Sequence, residues 1–323
     1  STPPEARRCR KFPLQRKENL RKNSLLPIAG SPPVGAKTNY LNLLANMNEI
    51  SCTHPGYCRT LLFLAIALIS PSAIADTNQP LKVFILAGQS NMQGHAHIRT
   101  FDAMRLSPLT APILKEMRQA DGSPKACQQV FISSIGSSEK ERIGKLTAGF
   151  GAEKNGPKIG PEFTFGIYME KLLNEPILII KTAWGGKSLH TDFRPPGAPP
   201  YQFNENQVAQ LEKQGKDLSA VRAEKAKATG HYYRLMLDHI KTVLTDIKRV
   251  VPEYNSEQGY ELAGFAWFQG WNDMVDRGTY PNRGQSGGYD QYSTLLAQMI
   301  RDLRKDLAAP DLPVVIGVMG VGG

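Results

Sequence analysis

Residues Leu81–Asn91 read LKVFILAGQSN, and this stretch decides the fold. From Leu81 to Ala87 the chain is apolar apart from Lys82 and shows no regular alternation, which is the pattern of a strand covered on both faces in a parallel sheet. The run breaks at Gly88-Gln89-Ser90-Asn91. Glycine lets the backbone turn sharply there, and a serine just past a buried parallel strand lies at the carboxyl edge, where open α/β sheets place ligands. The segment is not the G-x-S-x-G elbow, because Met92 stands two residues beyond Ser90. Read alone, it equally describes a serine capping the next helix.

Working outward, four further runs read as strands of the same kind: Gln128–Ile135, Ile177–Thr182, Leu262–Phe268 and Pro313–Met319. Between them, Glu162–Leu173, His231–Val250 and Tyr289–Leu307 space apolar residues at three and four, the helical period, with Pro161 suited to a first turn. Strand and helix alternate, so an α/β class with helices on both faces of a parallel sheet is expected. Two loops interrupt the rhythm, the proline-rich 190–206 and the glycine-rich 276–289, while 207–229 is charged and reads as a solvated helix or lid.

Two more strands end in polar clusters. Ile177–Thr182 runs into Ala183-Trp184-Gly185-Gly186-Lys187-Ser188, where paired glycines free backbone N–H groups to approach an anion. Leu262–Phe268 runs into Gln269-Gly270-Trp271-Asn272-Asp273, a group of amides at the same sheet edge. An acyl-transfer serine needs such donors about 3 Å from the developing oxyanion. Trp184, Trp271 and Tyr201 are candidates for stacking on a bound ligand, and His190 for substrate contact, with core packing the alternative for each aromatic. No His/Cys/Asp spacing resembles a metal-ligand set.

The four blocks ILAGQSNMQG, GPEFTFGIYMEKLL, KTAWGGKSL and GFAWFQGWND, in that order, resemble the sialate O-acetylesterase-like branch of the SGNH hydrolases, close to the acetylxylan esterases of carbohydrate esterase family 6. The resemblance covers about Lys82 to Gly323. It implies a flavodoxin-like three-layer α/β/α sandwich with a five-stranded parallel sheet in the order 2-1-3-4-5. It also implies a serine esterase that removes O-acetyl groups from carbohydrate through an acyl-enzyme, without cofactor. Ser90 would be the nucleophile, with its own N–H, Gly185 or Gly186, and the side chain of Gln269 or Asn272 lining the oxyanion hole. The sequence departs from the family pattern twice. Trp271 stands where a glutamate is usual, and the Asp-x-x-His block that supplies the base is not found through Gly323. The chain is therefore expected to be cut short before that block and weakly active, because His95, His97, His190, His231 and His239 are poor substitutes. A catalytically silent carbohydrate-binding domain and a lipid or thioester hydrolase of the wider SGNH group are the alternatives.

Composition limits the partners. The 323 residues carry 39 Lys and Arg against 29 Asp and Glu, a net charge of +10. Residues 1–75 hold ten of those bases and three of the acids, so the rest carries only +3, and nucleic acid is not an expected partner. That leader reads as a basic, disordered segment over 1–46 followed by a signal peptide over 47–75. Within it, Leu61–Ser70 is too short an apolar run to span a membrane and Ala73-Ile74-Ala75 forms a small-x-small cleavage site. One esterase domain over 76–323, secreted or periplasmic, is the expectation. It retains Cys127 alone of four cysteines, read as a small buried hydrophobe.

Overall fold

The computed structural model describes residues 79–318, within the compact unit 73–323; the leader and signal peptide expected at 1–75 lie outside the described residues. Eight strands occur there: β1 (Leu81–Gly88), β2 (Ala96–His97), β3 (Val130–Ile135), β4 (Arg142–Lys145), β5 (Lys158–Ile159), β6 (Ile177–Ala183), β7 (Tyr260–Phe268) and β8 (Val314–Ile316). The helices are α1 (Ser90–Gln93), α2 (Thr100–Met104), α3 (Ala111–Met117), α4 (Pro161–Leu173), α5 (Glu205–Lys213), α6 (Leu218–Ala228), α7 (His231–Thr245), α8 (Trp271–Val275) and α9 (Asp290–Asp306).

The apolar runs of β1, β3 and β6 become strands with both faces covered, whereas β7 is only partly buried and β8, at the sheet edge, corrects the expectation of two-sided burial, with Val315 and Ile316 exposed. Val83, Ile85 and Ala87 of β1 and Leu178 and Ile180 of β6 pack with Met236 and Ile240 of α7 and Met299 and Leu303 of α9. The intervening residues, Leu86, Ile177, Ile179 and Ala183, pack on the opposite face with Leu114 and Met117 of α3 and Phe163 and Ile167 of α4. Cys127 joins this second cluster, and burial together with Glu170 pushes its thiol up to about 12. Helices α5 and α6 bury no residue, as expected of the charged stretch that forms them.

The central sheet has six strands in the order β4-β3-β6-β1-β7-β8, and β2 pairs with β5 in a separate antiparallel ribbon. Five strands are parallel, and β4 joins the β3 edge antiparallel. Strand count and order both correct the expectation. The extra strand, Arg-Ile-Gly-Lys, is a half-exposed edge strand with no apolar run to announce it. The five expected strands take the order 2-3-1-4-5 rather than 2-1-3-4-5. Runs apolar on both faces carry no alternation that names a neighbour, so pairing is decided by tertiary packing. The observed order has a direct consequence for the site. β1 lies between β6 and β7, so the three polar strand ends are contiguous, with Gly88 opposite Ala183 on one side and Phe268 on the other.

Gly88 is required where β1 meets β7. A Cβ there would lie 2.2 Å from the Phe268 carbonyl oxygen. No helix among the described residues is long and apolar enough to cross a membrane.

Candidate functional site

Ser90 opens α1 directly after β1, and Gln89 caps that helix with a side chain that accepts from the Asn91 N–H. The Ser90 hydroxyl donates to the same Gln89 side-chain oxygen. Gln89 is fully buried, and its Nε2 has no hydrogen-bond partner. The serine is thus held at the sheet edge by the residue before it, on the first turn of a four-residue helix.

Gly185 faces Ser90 across the β1–β6 junction. A Cβ built on it would lie 4.0 Å from the Ser90 Cβ, 3.8 Å from Ser137 Oγ and 3.3 Å from Gln93 Oε1. Its N–H donates to Ser137 Oγ at 3.3 Å, and Gln93 Nε2 donates to the same hydroxyl at 3.1 Å. Gly186 follows at φ +78°, a left-handed conformation natural to glycine, with open space around it. Ser90 and Gly185 are therefore brought together, and Ser137, just past β3, is a neighbour that sequence reasoning missed. Its signal was available: Gly136-Ser137 is one more polar end of a buried strand.

The third cluster is organised around Asp273, which is buried. Its carboxylate accepts from Leu189 N (2.7 Å), His190 N (2.9 Å), Gln269 Nε2 (2.6 Å) and Tyr280 OH (3.2 Å). Burial pushes its carboxyl above the usual range, against those four bonds, which pull it down. Gln269 Nε2 also donates to the Lys187 carbonyl at 3.0 Å, and Tyr292 OH donates to Gln269 Oε1 at 3.0 Å. The Gln269 amide is thus committed to joining the loop after β6 to the loop after β7. Asn272 lies on α8 with a buried Oδ1 that has no partner.

The aromatic candidates separate. Trp271, at the start of α8, is 49% exposed and offers a face to solvent. Trp184 is 1% exposed, its ring against Phe193 and Tyr232, so it supports the β6 loop from within the core. His190 is 5% exposed, edge-on to Tyr201 and Tyr280, with Nδ1 unpartnered. Burial, with Arg194 and Lys225 nearby, lowers its pKa to about 4. His239 is buried as well, with Nε2 2.9 Å from Ser133 Oγ on β3, and burial lowers its pKa to about 4. Among the described residues the Ser90 hydroxyl donates to Gln89, not to a histidine. Two clefts flank the proline-rich loop away from Ser90; the larger, about 350 Å³, is lined by Arg194, Tyr233, Arg234 and Asp306 among others.

The arrangement provides a hydroxyl at a helix start with glycine N–H groups beside it, the elements of acyl transfer. The family model "carbohydrate esterase, sialic acid-specific acetylesterase" matches residues 80–322. No curated protein matches the chain in sequence. Among solved structures, a protein from Arabidopsis thaliana is 17% identical, with a TM-score of 0.39 over 73% of each chain. A carbohydrate acetylesterase from Xanthomonas citri is 14% identical, with a TM-score of 0.37 over 72% of this chain and 40% of its own.

Proposed function

The chain belongs to the sialic acid-specific acetylesterase family of carbohydrate esterases, and from that premise we propose that Ser90 attacks the acetyl carbonyl of an O-acetylated sugar to form an acyl-enzyme. Carboxylic ester hydrolysis on an acetylated carbohydrate follows from the family. The acyl-enzyme and the residue roles are our reading.

One observation carries it: Ser90 and Gly185 face each other at the ends of adjacent strands, with Gly186 beyond. Attack by Ser90 Oγ places the oxyanion near the Ser90 and Gly186 N–H groups, and the Gly185 N–H must leave Ser137 Oγ to join them. Asn272 is the better side-chain donor, because the Gln269 amide protons are engaged with Lys187 and Asp273. Gln269 then aligns the two loops. Trp271 provides the sugar platform, and His190, packed against Tyr201 and Tyr280, shapes a wall. The proton from Ser90 passes to a histidine base, the role that an Asp-x-x-His block fills in the family pattern, and from it to the sugar oxygen, which departs as a free hydroxyl as the acyl-enzyme forms. Acetate leaves when water, activated by the same base, attacks the acyl-enzyme. We further propose export through the signal sequence at 47–75.

The test is acetate release from O-acetylated sialic acid and acetylated xylan by the full-length protein and its Ser90→Ala variant. Loss of turnover by about 10³-fold or more, with thermal stability changed by less than about 2 kcal/mol, is expected. Undiminished activity in Ser90→Ala would refute the assignment. Glycan binding without acetate release by the wild type would favour a silent binding domain. N-terminal sequencing of the exported protein should begin near Asp76, and a start well upstream would refute the cleavage site.

A further inference from the structure

The core beneath Ser90 contains a charged pair that hydrolysis does not require. Lys181, on β6, is 1% exposed and Glu162, on α4, is 0% exposed, with Nζ and Oε2 2.5 Å apart. They sit on the face of the sheet shared with Ile179, Ala183, Met92 and Phe163. Desolvating two charges costs several kcal/mol per ion, and apolar residues of similar volume often serve stability as well or better.

The remaining bonds of the pair point to the nucleophile. Lys181 Nζ donates to the Gln93 carbonyl at 2.9 Å and to the Phe150 carbonyl at 2.9 Å. Gln93 is the last residue of α1, whose first residue is Ser90. The Gln93 side chain holds Ser137, and Ser137 accepts from the Gly185 N–H. Lys181 is on the same strand as Ala183 and four residues before Gly185, so one side chain ties the oxyanion strand to the nucleophile helix. The Gly-Pro-Glu block completes the arrangement. Gly160 and Gly94 touch so closely that a Cβ on Gly94 would lie 2.2 Å from the Gly160 Cα. Pro161 starts α4, and Glu162 Oε1 accepts from the Gly160 N–H at 2.9 Å while Oε2 takes Lys181.

We propose that Lys181 and Glu162 are positioning residues for the nucleophile: through the Gln93 carbonyl they fix α1, and with it the Ser90 hydroxyl, against the Gly185 N–H. The proposal rests on the assignment of Ser90. A serine hydroxyl displaced by about 1 Å costs on the order of 10²-fold in rate, whereas substrate held elsewhere keeps its affinity.

The test uses the full-length double variant Lys181→Met, Glu162→Gln, which removes both charges so that neither is left buried alone, and the single variant Glu162→Gln. Three quantities are read: the thermal midpoint, kcat and KM for 4-nitrophenyl acetate, and the rate of Ser90 sulfonylation by phenylmethylsulfonyl fluoride, located by peptide mass. The expected result is a folded double variant whose kcat and sulfonylation rate fall together by 10- to 100-fold with KM within threefold. Glu162→Gln leaves the Lys181 charge without its counter-ion and should lose more stability than the double variant, while its rate per folded molecule falls less, since Gln keeps a neutral acceptor for Lys181. Wild-type reactivity in a folded variant would overturn the proposal. A fall in rate no larger than that explained by the unfolded fraction would overturn it too, as would failure of both variants to fold, since the pair would then be structural. If wild-type protein is not sulfonylated at Ser90, the acyl-enzyme reading itself fails, a result distinct from variant and wild type being labelled alike.

Discussion

Replacing Asp273 by Asn exchanges one carboxylate oxygen for an NH2 of nearly the same size and tests whether the Asp273 hydrogen bonds or the desolvation of its charge dominates. The carboxylate faces four donors, two on each oxygen: Leu189 N and Gln269 Nε2 on Oδ2, His190 N and Tyr280 OH on Oδ1. An amide offers one oxygen and one NH2. If the NH2 replaces Oδ2, it meets two N–H donors and leaves both without an acceptor. Placed at Oδ1 it is less costly, because the Tyr280 hydroxyl can rotate to accept and only the His190 N–H is orphaned. A buried donor left unpaired costs about 1–3 kcal/mol, and loss of charge assistance in the surviving bonds adds about 1 kcal/mol. Relief of burial offsets part of this, since burial pushes the carboxyl upward. We expect a net loss of about 2–3 kcal/mol, read as a lower midpoint in urea with unchanged slope. Because Leu189 and His190 follow the glycine pair, kcat should also fall. A variant as stable as wild type, or more so, would show that desolvation outweighs the four bonds and would remove Asp273 as the organiser of the two loops.

Gly88→Ala places a methyl 2.2 Å from the Phe268 carbonyl oxygen and 3.0 Å from Met92 Cβ, so β1 and β7 must separate just before Ser90. A loss of about 3 kcal/mol or more is expected by thermal unfolding, and a change under about 1 kcal/mol would contradict the close approach. His190 and His239 each have a pKa lowered from 6.5 to about 4 by burial, so the unfolded chain binds protons there more readily than the fold does. Their contribution is intact above pH 6.5 and is lost as pH falls toward 4. At pH 5 each costs about 2 kcal/mol relative to pH 8. Urea midpoints across that range should drop, and His239→Gln should remove about half of the drop; a flat profile would refute the burial argument.

What the sequence made legible was set by periodicity. The apolar runs become strands and the three long helices form, though the helix expected over His231–Val250 stops at Thr245 and the last run yields only the exposed Val314–Ile316, because burial on both faces of a strand or on one face of a helix writes a pattern into neighbouring residues. Pairing writes none. β6 lies between β3 and β1, although nothing in Ile-Leu-Ile-Ile distinguishes one neighbour from another, and β4 carries a short half-polar edge sequence.

The site divides in the same way. Ser90, Gly185 and Gly186 stand at strand ends, a local feature visible where an apolar run stops, and the structure brings Ser90 and Gly185 together. Ser137 shares that feature and was missed because a single serine after β3 has no distinctive neighbours. Lys181 and Glu162 were hidden for a different reason. A lysine inside ILIIKTA reads as a strand residue approaching the surface, and a glutamate after Pro161 reads as an ordinary first-turn acid favourable to the helix dipole. Each charge is locally bland, and only their meeting, 19 residues apart in sequence and buried together, shows that neither faces water. A charge placed where an apolar run predicts a neutral side chain is therefore the observation to pursue, since burial of an ion pair needs a reason beyond stability, and here the bond from Lys181 to the end of the Ser90 helix supplies one.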